Sequence, residues 1–379
     1  MILLFTLLAG CSGPVLPDPS FYDCEGYDHL GDAHPRAAAY QGVVDAALDE
    51  GIPGVSVAVR SPDGLWLGAG GYADIAQDVS VSVCSRFHLG SVSKVFTATA
   101  VLRAVDDGLL SLDGAPADYL PAAVLDGIPR VGEVGFTELL SHHTGIPDYV
   151  TVAYVLEAFN MTLEPLTGRE TLERWIYGKK PSFDAGNYGY SNSNYLLLGL
   201  VLEEVTGEPA YDAIRTLVLD PIGADDTSGR SEDDAALVRG YTALRSGDLV
   251  DHSEPTRLVM GKPGKTDGGF VGTPHDVALL LDAIAGGDLL EPGTFDRMVD
   301  FFPGGEPGID FVSGYGLGLM ELDTTWGPAW GHYGGVWPYT SAAFTFPEQD
   351  TTVVVVFNGQ TEGMADLIYS ERIFQPVFE

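Results

Sequence analysis

Ser91 stands directly after Gly90 and three positions before Lys94, in Phe87-His88-Leu89-Gly90-Ser91-Val92-Ser93-Lys94-Val95-Phe96, where an apolar run of helical period begins. Side chains three apart on a helix share a face, with Cβ atoms about 5–6 Å apart, so the hydroxyl and the amine can touch. That contact suits a serine nucleophile whose proton is taken by a neighbouring base. The start of a helix adds free N–H groups for an oxyanion and a positive end that lowers the pKa of a nearby amine. Leu89, Val95 and Phe96 would bias Lys94 further toward the neutral, base-competent form. A serine and a lysine at this spacing recur on many helices, so the pair gains meaning only from partners.

Two partners follow in the chain. Tyr188-Gly189-Tyr190-Ser191-Asn192-Ser193-Asn194-Tyr195 precedes the apolar helical stretch Leu196 to Val205. Tyr190 offers a phenol that can relay a proton, and Asn192 an amide that can orient Lys94 and a substrate carbonyl. Further on, His332-Tyr333-Gly334 is followed by Gly335 on a strand-like segment. His332 supplies a cation or a donor there, and the glycines let a substrate approach the strand edge.

The elements that must bring these pieces together are legible in outline. Ala37 to Glu50 carries small apolar and acidic residues at helical spacing and is stopped by Gly51-Ile52-Pro53-Gly54. Val55 to Arg60, the turn Ser61-Pro62-Asp63-Gly64 and Leu65 to Tyr72 read as a hairpin. From Ser91 to about Leu290 the periodicity is mostly helical. Strand patterns return at Tyr315 to Leu322, Ala329 to Tyr333, Ser341 to Phe346 and Thr352 to Phe357, and a short helix around Met364 to Ile373 follows. The expected fold class is therefore α/β (α+β): one antiparallel sheet built from both ends of the chain, flanked by helices, with a mostly helical subdomain inserted. The sheet part comprises 37–90 and 310–379 and the helical part 91–309, and a cleft lies at their junction.

Composition and failed motifs exclude other chemistries. With 379 residues, 45% of them hydrophobic, the chain can bury a large core, and its net charge of −35 repels phosphate backbones and anionic lipid headgroups. Nucleic acid is excluded as a partner. Gly261-Lys262-Pro263-Gly264-Lys265-Thr266 ends like a phosphate-binding loop, but Val259 stands where that loop requires glycine. His142-His143 is the one adjacent histidine pair and has no second cluster at ligand spacing, so no metal is expected and the pair reads as loop packing. No G-x-S-x-G elbow occurs. No cofactor is called for.

With S-x-x-K, Y-x-N and H-x-G in this order, the sequence resembles the serine β-lactamase and penicillin-binding superfamily, in the branch of class C β-lactamases, D-alanyl-D-alanine carboxypeptidases, D-aminopeptidases and related esterases. Leu139-Leu140-Ser141-His142-His143-Thr144-Gly145-Ile146-Pro147, Asp220-Pro221-Ile222-Gly223 and Tyr315-Gly316-Leu317-Gly318-Leu319 support the likeness, which covers roughly 37 to 360. The resemblance implies a β-lactamase/transpeptidase-like fold with Ser91 as acyl-accepting nucleophile and Lys94 as its base. It implies Tyr190 as relay to the leaving group, Asn192 as holder of Lys94 and substrate, and His332 as electrostatic support. The backbone N–H groups of Ser91 and Gly335 would form the oxyanion hole, and Tyr333, Gly334 and Gly335 the substrate-binding edge. Which of Lys94 and Tyr190 takes the serine proton stays open.

Two departures bear on the substrate, a small molecule or peptide. Tyr333 and Gly335 stand where carboxypeptidases place hydroxyls, and Glu321 and Asp323 put acids where a cation would grip a terminal carboxylate, unless Arg257 or Lys265 reaches the cleft. Tyr333, Trp337, Tyr339 and Trp326 are alternative walls for an apolar pocket. The function implied is an acyl-enzyme hydrolase of an amide or ester related to D-alanyl peptides. A carboxylesterase and an acylatable penicillin sensor without turnover are the alternatives.

The first ten residues are almost all apolar and lead into Leu8-Ala9-Gly10-Cys11, which resembles a bacterial lipoprotein signal, although Met1-Ile2-Leu3-Leu4 carries no Lys or Arg. The likeness implies cleavage before Cys11, its lipidation, and an envelope protein touching a membrane only through that lipid, with 11–36 as tether and extension. Ten apolar residues are too few to cross a hydrocarbon core of about 30 Å. In an oxidising compartment the remaining Cys24 and Cys84 form either a disulfide, worth roughly 4 kcal/mol by loop closure, or two thiols. The oligomeric state is not legible.

Overall fold

The structure is a computed structural model that describes Cys24, Tyr27, and residues 33–159, 162–231, 234, 236–243, 248–304, 309 and 311–379. The signal-like segment, Cys11 and most of the tether lie outside the described residues. Among the described residues no helix is long and apolar enough to cross a membrane.

Nine strands form one sheet: β1 Gly54–Ser61, β2 Gly64–Asp74, β3 Val79–Ser80, β4 Phe302–Pro303, β5 Val312–Tyr315, β6 Met320–Thr324, β7 Gly327–Val336, β8 Tyr339–Phe346 and β9 Thr351–Phe357. Their spatial order is β3-β2-β1-β9-β8-β7-β6-β5-β4. The two ends of the chain meet at β1 and β9, which run antiparallel with Val55 opposite Phe357 and Arg60 opposite Thr352. The fold class expected from the sequence is the one found.

The central strands are buried on both faces, and their alternation sorts side chains between two cores. In β9, Val353, Val355 and Phe357 join Val55, Val57 and Val59 under helix α1 (Ala37–Asp49) and the C-terminal helical turns. Val354 and Val356 face the second core with Ala58 and Ala343. Helices α2 (Ser93–Asp106), α3 (Val152–Phe159), α4 (Asn192–Thr206), α5 (Ser253–Met260) and α6 (Pro274–Gly286) follow in the inserted part. In α2, every residue from Ser93 to Leu102 is buried, so the helix is enclosed on all sides, and its small residues Ala98, Ala100 and Ala104 fit that position.

One expected element divides. Tyr315 to Leu322 reads as a strand in sequence, but the chain turns at 316–319 and returns as β6. Gly318 adopts φ +90 and a Cβ there would meet the Cβ of Ala98 at 2.3 Å, so the turn is pressed onto α2. Tyr315 is thereby held at the end of β5, two strands from the β7 residue His332. Cys24 and Cys84 are joined by a disulfide, which ties the N-terminal extension to the loop before the Ser91 turn.

His88 lies in the short strand Phe87–His88, fully buried, with neither ring nitrogen hydrogen-bonded. Burial pushes its pKa down to about 3. The unfolded chain therefore takes up a proton near pH 6.5 that the folded chain refuses until about pH 3, and stability falls as pH drops through that window. We expect His88→Leu to be more stable than the parent at neutral pH, and the gap to widen below pH 6.5 by up to about 1.4 kcal/mol per pH unit. Urea unfolding at pH 7, 6 and 5 measures it, and a constant gap would contradict it.

Candidate active site

Ser91 occupies a single 3₁₀ turn, Gly90–Val92, that runs straight into α2. Gly90 has φ +53, and a Cβ on it would stand 2.6 Å from the Gly335 nitrogen, so the Ser91 turn and β7 touch backbone to backbone. Ser341 Oγ donates to the Leu89 carbonyl at 2.7 Å and fixes the same contact from β8.

Lys94 is fully buried one helical turn on. Its ammonium donates to Ser91 Oγ at 3.0 Å, to Asn192 Oδ1 at 2.7 Å and to the backbone carbonyl of Asp267 at 2.6 Å. The charged form has a proton for each of these acceptors, while the neutral amine keeps two and has a lone pair that can take the proton of Ser91. The Tyr190 ring lies beside it, with Nζ 5.0 Å from the ring centroid.

Asn192 is the first residue of α4, and Asp148 holds it from behind. One carboxylate accepts the Asn192 backbone N–H at 3.1 Å and the side-chain amide at 3.2 and 3.1 Å, which points Oδ1 at Lys94. Burial holds the Asp148 carboxyl above its ordinary value. The loop before it is stitched to α4 as well: Ser193 Oγ donates to the Pro147 carbonyl and accepts the Tyr149 N–H. His142, at φ +63, accepts the Ser191 N–H on Nδ1 at 3.2 Å and packs its ring 4.2 Å from that of Tyr190.

A chain of neutral donors continues to β7. With Nδ1 of His142 accepting, its Nε2 donates to Tyr315 Oη at 3.2 Å, and Tyr315 donates to His332 Nε2 at 2.8 Å. The Nδ1 of His332 donates to the backbone carbonyl of Tyr333. Burial, and then the charge of Lys94, pushes His332 down to about 3 and His142 well below the usual imidazole value. His332 thus stands in the site as a neutral dipole and not as a cation.

A cavity of about 670 Å³ opens beside Ser91 and Asn192. Tyr149, Tyr154, Val155, Leu163 and Pro165 form one wall, Pro255, Leu258, Val259 and Met260 another, and Gly335, Val336 and Trp337 the sheet edge. Its acids are Asp267 and Glu254.

The model of the beta-lactamase family matches residues 38–375. The chain belongs to that family. Penicillin-binding protein 4 of Amycolatopsis lactamdurans is 32% identical over 213 residues, 54% of this chain and 51% of that protein. Protein flp of Staphylococcus aureus strain COL is 28% identical over 189 residues, 49% of this chain and 37% of that protein. The matches thus span about half, or less, of these relatives' length. Among solved structures, D-amino acid amidase from Ochrobactrum anthropi SV3 in complex with D-phenylalanine superposes with a TM-score of 0.75 at 24% identity, over 90% of this chain and 96% of that one. The penicillin-binding protein homologue from Pyrococcus abyssi gives 0.74 at 25% identity, over 90% and 77%. The family is one of serine hydrolases.

Within this beta-lactamase fold, Ser91, Lys94, Tyr190, Asn192 and His332 come together, with Gly335 at the cavity edge. Other sequence expectations are corrected. Tyr333 alternates to the opposite face of β7, where it is buried against Phe344 and Tyr369, so it cannot meet a substrate. Gly334 does not line the cavity: a Cβ there would meet the Leu89 carbonyl at 2.1 Å and Ser341 Oγ at 2.2 Å, so its glycine serves the close approach of the Ser91 turn. Tyr339 is buried with its hydroxyl on the Val238 carbonyl, and Trp326 packs on Phe378, which leaves Trp337 as the one of the four aromatics that lines the cavity. Glu321 and Asp323 do not line it, nor do Arg257, paired with Glu254, and Lys265, which donates to Thr171 beneath the Tyr149 ring. Burial pulls the Lys265 amine down to about 8. Among the described residues no group of three or more side chains could hold a metal.

Sequence reasoning missed Asp148, Asp267, Tyr149 and the part played by His142 and Tyr315. Asp148 and Tyr149 directly follow the supporting stretch ending at Pro147, and Asp267 directly follows the rejected phosphate-loop motif. Asp267 accepts the Tyr149 hydroxyl at 2.6 Å while its carbonyl accepts from Lys94. Tyr315→Phe removes the hydroxyl between two buried imidazoles. We expect it to cost about 1–3 kcal/mol of stability, and an unchanged urea midpoint would show that the chain of donors carries no weight.

Proposed function

We propose that this protein is an exported serine hydrolase that forms an acyl-enzyme at Ser91 and cleaves an ester or amide. The observation that carries the reading is the buried Lys94 amine, 3.0 Å from Ser91 Oγ and aimed there by Asn192 and the Asp267 carbonyl, with Ser91, Asn192 and Asp267 lining the cavity. Ser91 Oγ attacks the carbonyl carbon, its proton passing to the neutral Lys94 amine, which then replaces the proton Tyr190 gives to the leaving group, or directly to a Tyr190 phenolate. The oxyanion is held by the N–H groups of Ser91 and Gly335. Tyr190 returns a proton to the leaving group, the acyl-enzyme forms, and water repeats the attack in the second half. The His142–Tyr315–His332 chain keeps Tyr190 in place without adding charge.

The similarity to penicillin-binding protein 4 and to D-amino acid amidase supports a bond related to D-alanyl peptides or D-aminoacyl amides. The cavity supports the neutral ester or amide within that range, because no Lys or Arg lines it to grip a substrate carboxylate: Arg257 is paired with Glu254 and Lys265 donates to Thr171. Envelope location rests on Leu8-Ala9-Gly10-Cys11, with lipid on Cys11 as the membrane contact.

We expect Ser91→Ala to abolish hydrolysis and labelling by a fluorophosphonate probe, and Lys94→Ala to slow acylation by at least about 100-fold. Undiminished labelling of Ser91→Ala would remove the nucleophile. A single burst without repeated turnover of a chromogenic ester would mark a sensor instead. Matched substrates with and without a terminal carboxylate should differ in kcat/KM in favour of the neutral one, at low and high salt alike; a carboxylate substrate that wins at both would restore the carboxypeptidase reading. Cys11→Ala should move the protein from the detergent phase to the aqueous phase, and wild-type protein already in the aqueous phase with a free thiol would refute the anchor.

A further inference from the structure

Ten large hydrophobic side chains are exposed among the described residues, and five of them, Val150, Val152, Val155, Leu156 and Leu258, gather at one place. Val150, Val155 and Leu258 line the cavity beside Ser91, each between 37% and 39% exposed. Val152 and Leu156, 79% and 55% exposed, share the face of α3 that carries Val155, at spacings of three and four residues. The apolar wall therefore does not end where the cavity ends; it continues over its rim into solvent. Contiguous exposed apolar surface of this kind is rare unless something covers it.

We propose that the site takes esters or amides whose acyl half is a long apolar chain, which fills the cavity and runs out across the rim formed by α3 and α5. The proposal rests on the reading of Ser91 as nucleophile. The acyl half is assigned because Ser91 and Gly335, whose N–H groups hold the oxyanion, line the cavity, whereas Tyr190, the donor to the leaving group, does not. The occupant is the substrate's own chain and not a bilayer. Helices that lie on membranes carry lysine and arginine on their polar face, whereas Val152–Phe159 has none and its one charged residue is Glu157. The net charge of −35 adds repulsion from anionic lipid.

The test is a series of p-nitrophenyl esters from acetate to dodecanoate, kept below their micellar concentrations, with the full chain. Each methylene that lies on apolar wall can add up to about fourfold to kcat/KM, and we expect a rise of at least about tenfold from acetate to octanoate. The double variant Val152→Ser, Leu156→Ser should lose about tenfold on decanoate and dodecanoate and stay within about twofold on acetate, which also shows that it is folded. Calorimetric titration of Ser91→Ala with butanamide and decanamide reads the same site without catalysis. Tighter binding of decanamide with no ester turnover in the parent would remove the nucleophile and keep the chain site. Turnover that is flat or falls with chain length, or a double variant with the parent's profile, overturns the proposal. So does co-sedimentation with phosphatidylcholine vesicles together with activity that appears only on lipid aggregates, since the rim would then be a membrane contact.

Discussion

A lysine ammonium buried without exposure is the constraint to which the rest of the site answers. Taking such a charge out of water costs several kcal/mol unless acceptors replace the water it loses. Here the acceptors come from three distant parts of the chain: Ser91 on its own turn, Asn192 at the start of α4 and the Asp267 carbonyl ahead of Phe270. Each must be held in turn. Asp148 fixes Asn192, and Tyr149 hydrogen-bonds the Asp267 side chain. The helical insertion is thus organised outward from one amine, and its geometry at Ser91 follows from satisfying that amine.

The second half of the site is built on the opposite electrostatic principle. His142, Tyr315 and His332 are linked by hydrogen bonds in which each group both gives and accepts, and none carries charge at neutral pH. A second cation close to the first would repel it in a medium of low dielectric; a relay of neutral dipoles supports the tyrosine ring without that conflict. The left-handed backbone at His142 belongs to this arrangement, since it lets one imidazole face both the Ser191 N–H and the Tyr190 ring.

What could be read from the sequence was what local spacing encodes. The Ser91–Lys94 contact follows from helical periodicity, and the sheet halves from alternating residues such as those of β1 and β8. What could not be read depends on where distant backbone comes to rest. Gly334 looked like a substrate edge because a glycine on a strand often is one; only the arrival of the Leu89 carbonyl shows why a side chain is excluded there. Tyr333 and His332 are neighbours in sequence and on opposite faces of one strand, so a motif written as a triplet joins a site residue to a core residue. Asp148 and Asp267 act through hydrogen bonds across 44 and 173 positions of chain, which leave no periodic trace.

The seam between β1 and β9 sets an order on assembly. Val55 pairs with Phe357, and β7, which carries His332 and Gly335, reaches the Ser91 turn only as part of the sheet that this seam closes. Contacts of such sequence separation form late, because the loop they close is long. Until β9 is seated, β1 has an open edge of buried-type valines, and the elements around Ser91 lack their floor. The site around Ser91 is therefore a property of the finished chain alone: a partly folded molecule holds a serine and a lysine one helical turn apart, but not the strand edge that faces them.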